Sequence, residues 1–279
     1  MAKPEAGLRG AAPLLLVGAG KMGGALLDGW LARGISAKDV GILDPYIDTP
    51  RATALAGAGA AVARAAAEAA GRAYRVIVLA VKPQSMADVL SEVAPLAGRE
   101  TVIVSIAAGV RLARLEAAFA AGQPVVRTMP NTPAQVARGV TVSIANPHVS
   151  GAERDVVDAL LSAVGKTSWI EDEALMDAVT AVSGSGPAYV FLLAECLSAA
   201  ARRAGLSAEL AELLGRETVA GAGALLAASP LAPGVLRENV TSPGGTTAAA
   251  LAVLMAEDGL GPLMVRAVEA ARKRSAELG

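Results

Sequence analysis

Histidine and cysteine are almost absent from the sequence, and their scarcity excludes several kinds of site. Among 279 residues there is one cysteine, Cys196, and one histidine, His148. A lone cysteine cannot form an intramolecular disulfide or a cysteine metal cluster, so we expect Cys196 to be a buried structural thiol in a reducing compartment. Without a second histidine or carboxylates clustered at ligand spacing, the sequence predicts no metal site.

Aromatic side chains and an excess of either charge are also lacking. Aromatic residues make up 3% of the chain, and the formal net charge is −1. Nucleic-acid-binding surfaces combine basic stripes with stacking aromatics, so we expect no nucleic-acid partner. The first apolar run, residues 14–17, is too short for a signal-sequence core or a membrane span. We therefore expect a cytoplasmic protein without a membrane partner and with a frayed tail over residues 1–12.

Strand-like and helical segments alternate in the first half of the chain. Short apolar runs predict strands at residues 14–17, 40–43, 76–81, 101–106, 125–128 and 140–145. Helical spacing of apolar residues lies between them at 51–58, 86–94 and 112–121. This pattern predicts an α/β fold with a doubly wound, mostly parallel sheet, in which ligands bind at the carboxyl ends of the strands.

The sequence changes character after Ile170, where long helical patterns replace the strand-like runs. We predict a domain boundary near Glu171, which divides the chain into residues 1–170 and 171–279. Helices are expected at 171–203 with an interruption at 183–187, and at 208–228, 234–239, 245–257 and 262–278. Several of them are apolar on nearly every side, which indicates that a partner subunit covers part of this domain.

A glycine-rich segment links the first predicted strand to a helix. Residues 14–24 read LLLVGAGKMGG, which contains the G-x-G-x-x-G spacing of dinucleotide-binding turns. Gly18 can make the tight turn, Gly20 lets the backbone approach a pyrophosphate, and Gly23 lets the helix pack against the strand. The motif alone is weakly specific, and a strand-to-helix turn without a ligand remains the alternative.

Groups for acid–base chemistry are few. A dehydrogenase acting on an alcohol usually places a histidine or lysine beside the nicotinamide. His148 lies in a turn before a helix predicted to start after Ser150, which is typical of solvated surface, and Lys273 is the only lysine after residue 171. A cyclic imine removes the need for such an acid, because it can be protonated from water before it accepts a hydride.

Hydroxyl groups concentrate in residues 239–247, NVTSPGGTT. The Pro-Gly-Gly turn predicts a helix that begins near Thr246, and the first amides of that helix can bind a carboxylate together with nearby hydroxyls. The alternative is a simple turn in which serine or threonine caps the helix.

Five segments together resemble the pyrroline-5-carboxylate reductase family. They are residues 18–23, 80–84 (AVKPQ), 129–133 (MPNTP), 183–189 (SGSGPAY) and 239–247, in the family's order and across nearly the whole chain. The resemblance implies an N-terminal Rossmann domain followed by an all-helical C-terminal dimerisation domain, in a homodimer or a larger homo-oligomer built of dimers. It also implies NAD(P)H-dependent reduction of Δ1-pyrroline-5-carboxylate to L-proline, the last step of proline biosynthesis.

The resemblance assigns residues to three parts of a site. The cofactor pyrophosphate is expected at Gly18, Ala19, Gly20, Lys21, Met22 and Gly23. The ribose and nicotinamide side is expected at Ala80, Val81, Lys82 and Asn131, although Lys82 could also be a surface lysine. The substrate carboxylate is expected at Ser242, Gly244, Gly245 and Thr246, with the catalytic hydroxyl of Thr247 beside the ring nitrogen. Residues 183–189 are expected to kink a helix that approaches the nicotinamide.

The expected cofactor is NADPH, with NADH as the alternative. Asp44 ends the second predicted strand, where a carboxylate binds the adenosine 2′-hydroxyl and favours NADH. Because Pro45 and Tyr46 follow it, Asp44 could instead form a turn and face away from the ribose. Arg51 is close enough in sequence to meet a 2′-phosphate. Members of the resembled family mostly use NADPH, and many accept NADH.

Two other functions remain open from the residues alone. One is a related two-domain dehydrogenase acting on a hydroxy acid, which the shortage of histidine and lysine disfavours. The other is a non-catalytic dinucleotide-binding redox sensor. A sensor has no evident need for the hydroxyl-rich turn at residues 242–247.

Overall fold

The computed structural model describes residues 8–279, which form two compact units. The first unit runs to Gly184 and also includes Lys273–Gly279, and the second is Ser185–Arg272. The domain ranges 1–170 and 171–279, drawn from sequence character, stay a prediction. The tail expected to be frayed lies partly outside the described residues. Within them Leu8 and Ala11 are buried in the core, so for residues 8–12 that prediction is wrong.

The first unit contains, within the described residues, an eight-stranded sheet with the strand order β3-β2-β1-β4-β5-β6-β7-β8. The strands are β1 (Leu14–Val17), β2 (Val40–Leu43), β3 (Ala61–Ala63), β4 (Val76–Leu79), β5 (Val102–Ser105), β6 (Val125–Met129), β7 (Gly139–Ala145) and β8 (Gly165–Trp169). Neighbouring strands are parallel except β6 and β7, which are antiparallel. The predicted Rossmann-type, mostly parallel sheet is confirmed.

The central strands are buried on both faces, as their continuous apolar runs predict. Leu14 and Leu16 of β1 pack in one core with Trp30, whereas Leu15 and Val17 pack in a second core with Met86. A strand has a side-chain period of two, so only an unbroken apolar run can fill both cores. The helices that accompany these strands are α1 (Lys21–Ala32), α2 (Thr49–Gly57), α3 (Ala66–Ala69), α4 (Met86–Val93), α5 (Leu112–Glu116) and α6 (Gly151–Leu161).

β3 and β8 are absent from the predicted strands because β3 is only three residues long and β8 has no apolar run. β3 is the short segment AVA, and β8 is GKTSW, with alternating half-buried and exposed residues. Both lie at the edges of the sheet, where one side of the strand has no pairing neighbour and burial is incomplete. Periodicity of apolar residues is therefore a weak signal for such edge strands.

The remaining helices are α7 (Met176–Val179), α8 (Gly186–Arg203), α9 (Ala208–Ala228), α10 (Pro233–Asn239), α11 (Thr246–Leu254) and α12 (Leu260–Leu278). A π-helical turn, Thr180–Gly184, follows α7 and overlaps the interruption predicted at residues 183–187. Within the second unit, α8 and α9 pack closely at Gly215, where a Cβ atom would overlap the hydroxyl of Ser198. The described residues after β8 form no further strand, which confirms the helical C-terminal region.

The second unit leaves many apolar side chains exposed on its helices. Phe191 is 64% exposed, and Leu213, Val253 and Val265 are exposed as well. Cys196 on α8 is also exposed, so the expectation of a buried thiol is wrong for the single chain. This many exposed apolar side chains indicate that the helices of the second unit contact another molecule.

Among the helices that the structure describes, only one bent pair has the combined length and apolar composition of a membrane span. Among the described residues, no single helix is long and apolar enough to cross a bilayer. α9 and α10 pass the length and composition test only when taken together, and they are bent by 120° relative to each other.

Candidate functional site

The candidate site lies at the carboxyl ends of the strands, where β1 and β4 are adjacent. The chain proceeds from β1 to β2 and β3 on one side of the sheet and from β4 onward on the other. Such a switch point opens a crevice between the two loops that leave the neighbouring strands. The first residue of each loop is bonded to the end of a neighbouring strand, because the Ala80 amide donates to the Val17 carbonyl at 2.7 Å and the Gly18 amide donates to the Leu43 carbonyl at 2.9 Å.

The three glycines of the first loop differ in what surrounds them. Gly18 has φ +90°, and a Cβ there would lie 2.7 Å from the Ala80 carbonyl oxygen. A Cβ on Gly23 would overlap the Gly18 carbonyl, so the helix packs directly on the turn. Gly20 has an ordinary extended conformation with nothing within 4 Å of its ideal Cβ position. The packing of the protein thus requires glycine at positions 18 and 23. At Gly20 the space beside the backbone is open and is not filled by protein atoms.

That open space faces the N-terminus of α1. Gly20 is the N-cap and has no side chain, and the first turn contains no acidic residue. The first-turn amides of Lys21, Met22 and Gly23 lack intrahelical partners, as in any helix, and favour an anion. A cavity of about 360 Å³ borders Ala19, Gly20 and Lys21, with Arg51 on its rim. These features fit the pyrophosphate of a dinucleotide.

Asp44, at the end of β2, accepts hydrogen bonds from backbone amides with both of its carboxylate oxygens. Its Oδ2 accepts from the Ala19 amide at 2.7 Å, and its Oδ1 accepts from the Tyr46 amide at 2.8 Å. Asp44 therefore forms the turn considered from the sequence, but its carboxylate also faces the glycine loop rather than away from it. A ribose contact stays a prediction.

Two arginines lie beyond β2, and both have protein partners. The Arg51 guanidinium pairs with Asp28 at 2.8 Å and is about one-third exposed. Arg64, which directly follows β3, donates to the carbonyls of Pro45 and Ile47, each at 3.0 Å. Proximity in sequence suggested Arg51 as the residue that meets a 2′-phosphate. The structure also places Arg64 in contact with the turn that follows Asp44.

The loops after β4 and β6 carry the other predicted cofactor residues. Ala80 and Val81 continue from β4, and Lys82 is exposed where the chain enters a 3-10 turn. Asn131, two residues after β6, accepts from the Val140 amide at 2.9 Å and donates to the Ser183 carbonyl at 3.1 Å.

The π-helical turn is held at the end of β6 by Asn131 and by close packing. A Cβ on Gly184 would overlap the Met129 side chain. The Asn131 side chain thus binds the π-helical turn, a role that sequence reasoning missed. Helix defects of this kind frequently occur at functional sites.

The predicted substrate turn lies in the second unit and is free of side-chain capping. α11 begins at Thr246, as predicted, with Gly245 as its N-cap and no side-chain hydrogen bond to the helix end. Gly244 has φ +69°, and a Cβ on Gly245 would lie 2.5 Å from the Ser242 hydroxyl. No serine or threonine hydroxyl caps this helix, so the capping expected in the alternative interpretation is wrong, and carboxylate binding at this turn stays a prediction. Ser242 and Thr246 are exposed, and Thr247 is half-buried.

A buried ion pair near the sheet was not anticipated from the sequence. Arg127 in β6 is 5% exposed and donates to Glu173 at 2.7 Å, and the same carboxylate oxygen accepts from the Leu112 amide at 2.8 Å. The sequence of β6 could have indicated this ion pair, since an arginine inside the buried run VVRTM needs a partner for its charge. His148 is exposed just before α6, which is consistent with the expected surface position.

Two family models match the chain. Residues 14–109 match a family described as NADP oxidoreductase coenzyme F420-dependent. Residues 173–278 match one described as pyrroline-5-carboxylate reductase dimerisation. The two matches cover the glycine loop and the hydroxyl-rich turn, respectively.

Individual relatives extend the similarity over the whole chain. A pyrroline-5-carboxylate reductase of Pseudomonas aeruginosa is 44% identical over 265 residues, covering 95% of this chain and 96% of that protein. The structure of a pyrroline-5-carboxylate reductase from Coxiella burnetii has a TM-score of 0.88 at 32% identity, covering 96% of this chain and 99% of the other. That of Plasmodium falciparum pyrroline carboxylate reductase with NADP bound has a TM-score of 0.79 at 31% identity, covering 96% and 98%.

Proposed function

The chain belongs to the pyrroline-5-carboxylate reductase family, and from this membership we propose that it reduces 1-pyrroline-5-carboxylate to L-proline, the last step of proline biosynthesis. The observation that carries the proposal is the 44% identity to a named reductase through 95% of the chain. That similarity spans both the glycine loop and the turn before α11. The enzyme is an NAD(P)H-dependent oxidoreductase.

Between the two dinucleotides, NADPH is the proposed working cofactor and NADH the second. The matched domain is described as an NADP oxidoreductase, and the Plasmodium falciparum relative carries NADP. Arg51 and Arg64 supply positive charge beyond β2, which favours a 2′-phosphate. Asp44 opposes it with a negative charge, so NADH is not excluded by this site.

The proposed cofactor contacts follow the geometry of the carboxyl edge. Gly18 to Gly23 hold the pyrophosphate through backbone amides and the helix dipole of α1. Ala80, Val81, Lys82 and Asn131 contribute to the ribose and nicotinamide side. When bound, the reduced nicotinamide supplies the hydride for the imine carbon.

On the substrate side, the chain is proposed to bind and orient an already reactive molecule. Ser242, Gly244, Gly245 and Thr246 hold the carboxylate with hydroxyls and the uncapped amides of α11. The Thr247 hydroxyl accepts a hydrogen bond from the protonated ring nitrogen. Because the imine takes its proton from water, no histidine or lysine acid is required, in keeping with the scarcity of both in the second unit.

The enzyme is proposed to work as a homodimer or a larger homo-oligomer built of dimers. The matched C-terminal family is described as a dimerisation domain, and the helices of this unit expose apolar side chains such as Phe191 and Val253. A second copy of the chain would cover that surface. A cytoplasmic location is proposed because an exposed, unpaired cysteine suits a reducing compartment.

Nicotinamide absorbance tests the proposed reaction against the two alternatives. The purified chain is incubated with NADPH and pyrroline-5-carboxylate, with a 2-hydroxy acid and NADP⁺, and with cofactor alone. We expect absorbance to fall only with the imine, in step with L-proline formation. Turnover of the hydroxy acid would indicate a hydroxy-acid dehydrogenase, and binding without turnover would indicate a sensor.

A further inference from the structure

The turn that follows β2 is rigidly held, yet it presents a fully exposed aromatic ring. Asp44 accepts from the Tyr46 amide at 2.8 Å, and Arg64 donates to the carbonyls on either side, those of Pro45 and Ile47. Ile47 is buried and anchors the end of the turn. Tyr46 itself is 92% exposed. The ring is therefore held out by a braced turn rather than by a loose loop.

Exposure of this degree is unusual for the aromatic residues of this chain. Trp30 and Tyr74 are buried, and the chain has only seven aromatic residues, two Trp, three Tyr and two Phe. Tyr46 makes no contribution to either hydrophobic core. An aromatic ring at the tip of a braced turn is suited to bind a flat partner.

The position of the turn identifies that partner. In a dinucleotide bound at the switch point, the residue that ends β2 lies at the adenosine ribose. Adenine is bonded directly to C1′ of that ribose, so the base extends past Asp44 toward the following residues. The planar purine and the phenol ring can stack there, and such stacking needs no particular hydrogen bond.

We propose that Tyr46 is the stacking platform for the adenine base, positioned by Asp44 and Arg64, and that it contributes about tenfold to the preference for dinucleotides over mononucleotides. The inference rests on the proposed function, because it takes the dinucleotide as the ligand of the glycine loop. Tyr46 acts on the adenosine half of the cofactor and leaves the nicotinamide half and the imine unaffected.

The experiment compares Tyr46→Ala and Tyr46→Phe with the unmodified chain. For Tyr46→Ala we expect the KM for NADPH to rise about tenfold, with kcat and the KM for the imine unchanged. Tyr46→Phe should behave like the unmodified chain, since stacking uses the ring and not the hydroxyl. Reduced nicotinamide mononucleotide, which has no adenine, should be used equally well by all three proteins.

A binding measurement makes the test independent of turnover. Calorimetric titration with adenosine 2′,5′-bisphosphate, which has no nicotinamide, should give a Kd about tenfold higher for Tyr46→Ala than for Tyr46→Phe. Equal Kd values, or an equal loss with the mononucleotide, would overturn the proposal. If the unmodified chain fails to reduce the imine but the Kd difference appears, the proposed function fails and the role of Tyr46 stands.

Discussion

At the scale of single residues, Asp44 combines two roles that the sequence presents as alternatives. Its Oδ1 shapes the turn through the Tyr46 amide, and its Oδ2 holds the glycine loop through the Ala19 amide. Neither bond neutralises the carboxylate, and the proposed ribose contact would bring its negative charge close to the 2′ position at which NADPH and NADH differ. The charge of Asp44 should therefore influence the choice between NADPH and NADH.

We predict that Asp44→Ser raises the ratio of kcat/KM for NADPH to that for NADH by about tenfold. Loss of the Ala19 bond weakens both cofactors, but only NADPH gains from removal of a like charge near its 2′-phosphate. Steady-state kinetics with both cofactors provide the ratio. Asp39→Ser, at the opposite end of β2, is the control and should leave it unchanged. A stable Asp44→Ser variant with the original ratio would rule out a ribose contact.

Thr247 is the residue on which the proposed substrate orientation depends. Loss of one hydrogen bond to a charged nitrogen costs about 1.5–3 kcal/mol, so Thr247→Ala should lower kcat/KM for the imine roughly ten- to hundredfold, with NADPH affinity unchanged. Thr247→Ser should retain most activity. Thr241→Ala is a matched control, because the Thr241 hydroxyl already donates to the Arg237 carbonyl. Wild-type efficiency in Thr247→Ala, or a parallel loss of NADPH affinity, would show that the substrate site is misplaced.

At the scale of elements, Glu173 links three parts of the first unit. It precedes α7, pairs with Arg127 of β6, and accepts from the amide at the start of α5. The Arg127 side chain is 5% exposed, and the Glu173 side chain that pairs with it is 29% exposed. Removal of a single member of a buried pair leaves an uncompensated charge.

We predict that Glu173→Ala lowers the free energy of unfolding by about 3 kcal/mol, because the Arg127 charge loses its partner. Glu171→Ala is the matched control, since its pair with Arg154 is exposed and should contribute less than about 1 kcal/mol. Urea denaturation of both variants gives the comparison. Equal losses of unfolding free energy in the two variants would mean that burial of Arg127 does not determine how much its pair with Glu173 contributes to stability.

The elements also mark the limit of sequence reasoning. Apolar runs identified β1, β2, β4 and β5, because burial on both faces favours apolar side chains at nearly every position. They could not identify β8, whose side chains are only partly buried, or the antiparallel pairing of β6 with β7, which depends on tertiary contacts. The packing roles of Gly18 and Gly23 could be predicted, because each follows from a missing Cβ atom. The Asn131 bonds to Val140 and Ser183 could not be predicted, because both depend on how the chain folds back after β6.

At the scale of the whole molecule, the residues assigned to the reaction are divided between the two compact units. The glycine loop, Asp44, Lys82 and Asn131 belong to the first unit, and the turn with Thr247 belongs to the second. The second unit has the exposed apolar helices that oligomerisation would cover. The proposed reaction therefore requires a first unit that binds the cofactor through the glycine loop and a helical unit that binds the imine.

The most direct test of this account measures NADPH binding and imine reduction in Gly20→Val beside the unmodified chain. Nothing lies within 4 Å of the Gly20 Cβ position, so the variant should fold, while its side chain fills the space proposed for the pyrophosphate. Gly57→Val, at an equally open glycine in α2, is the control. We predict that the unmodified chain and Gly57→Val oxidise one NADPH for each L-proline formed, and that folded Gly20→Val neither binds NADPH nor forms proline. Unchanged NADPH affinity in folded Gly20→Val, or no proline from the unmodified chain, would contradict it.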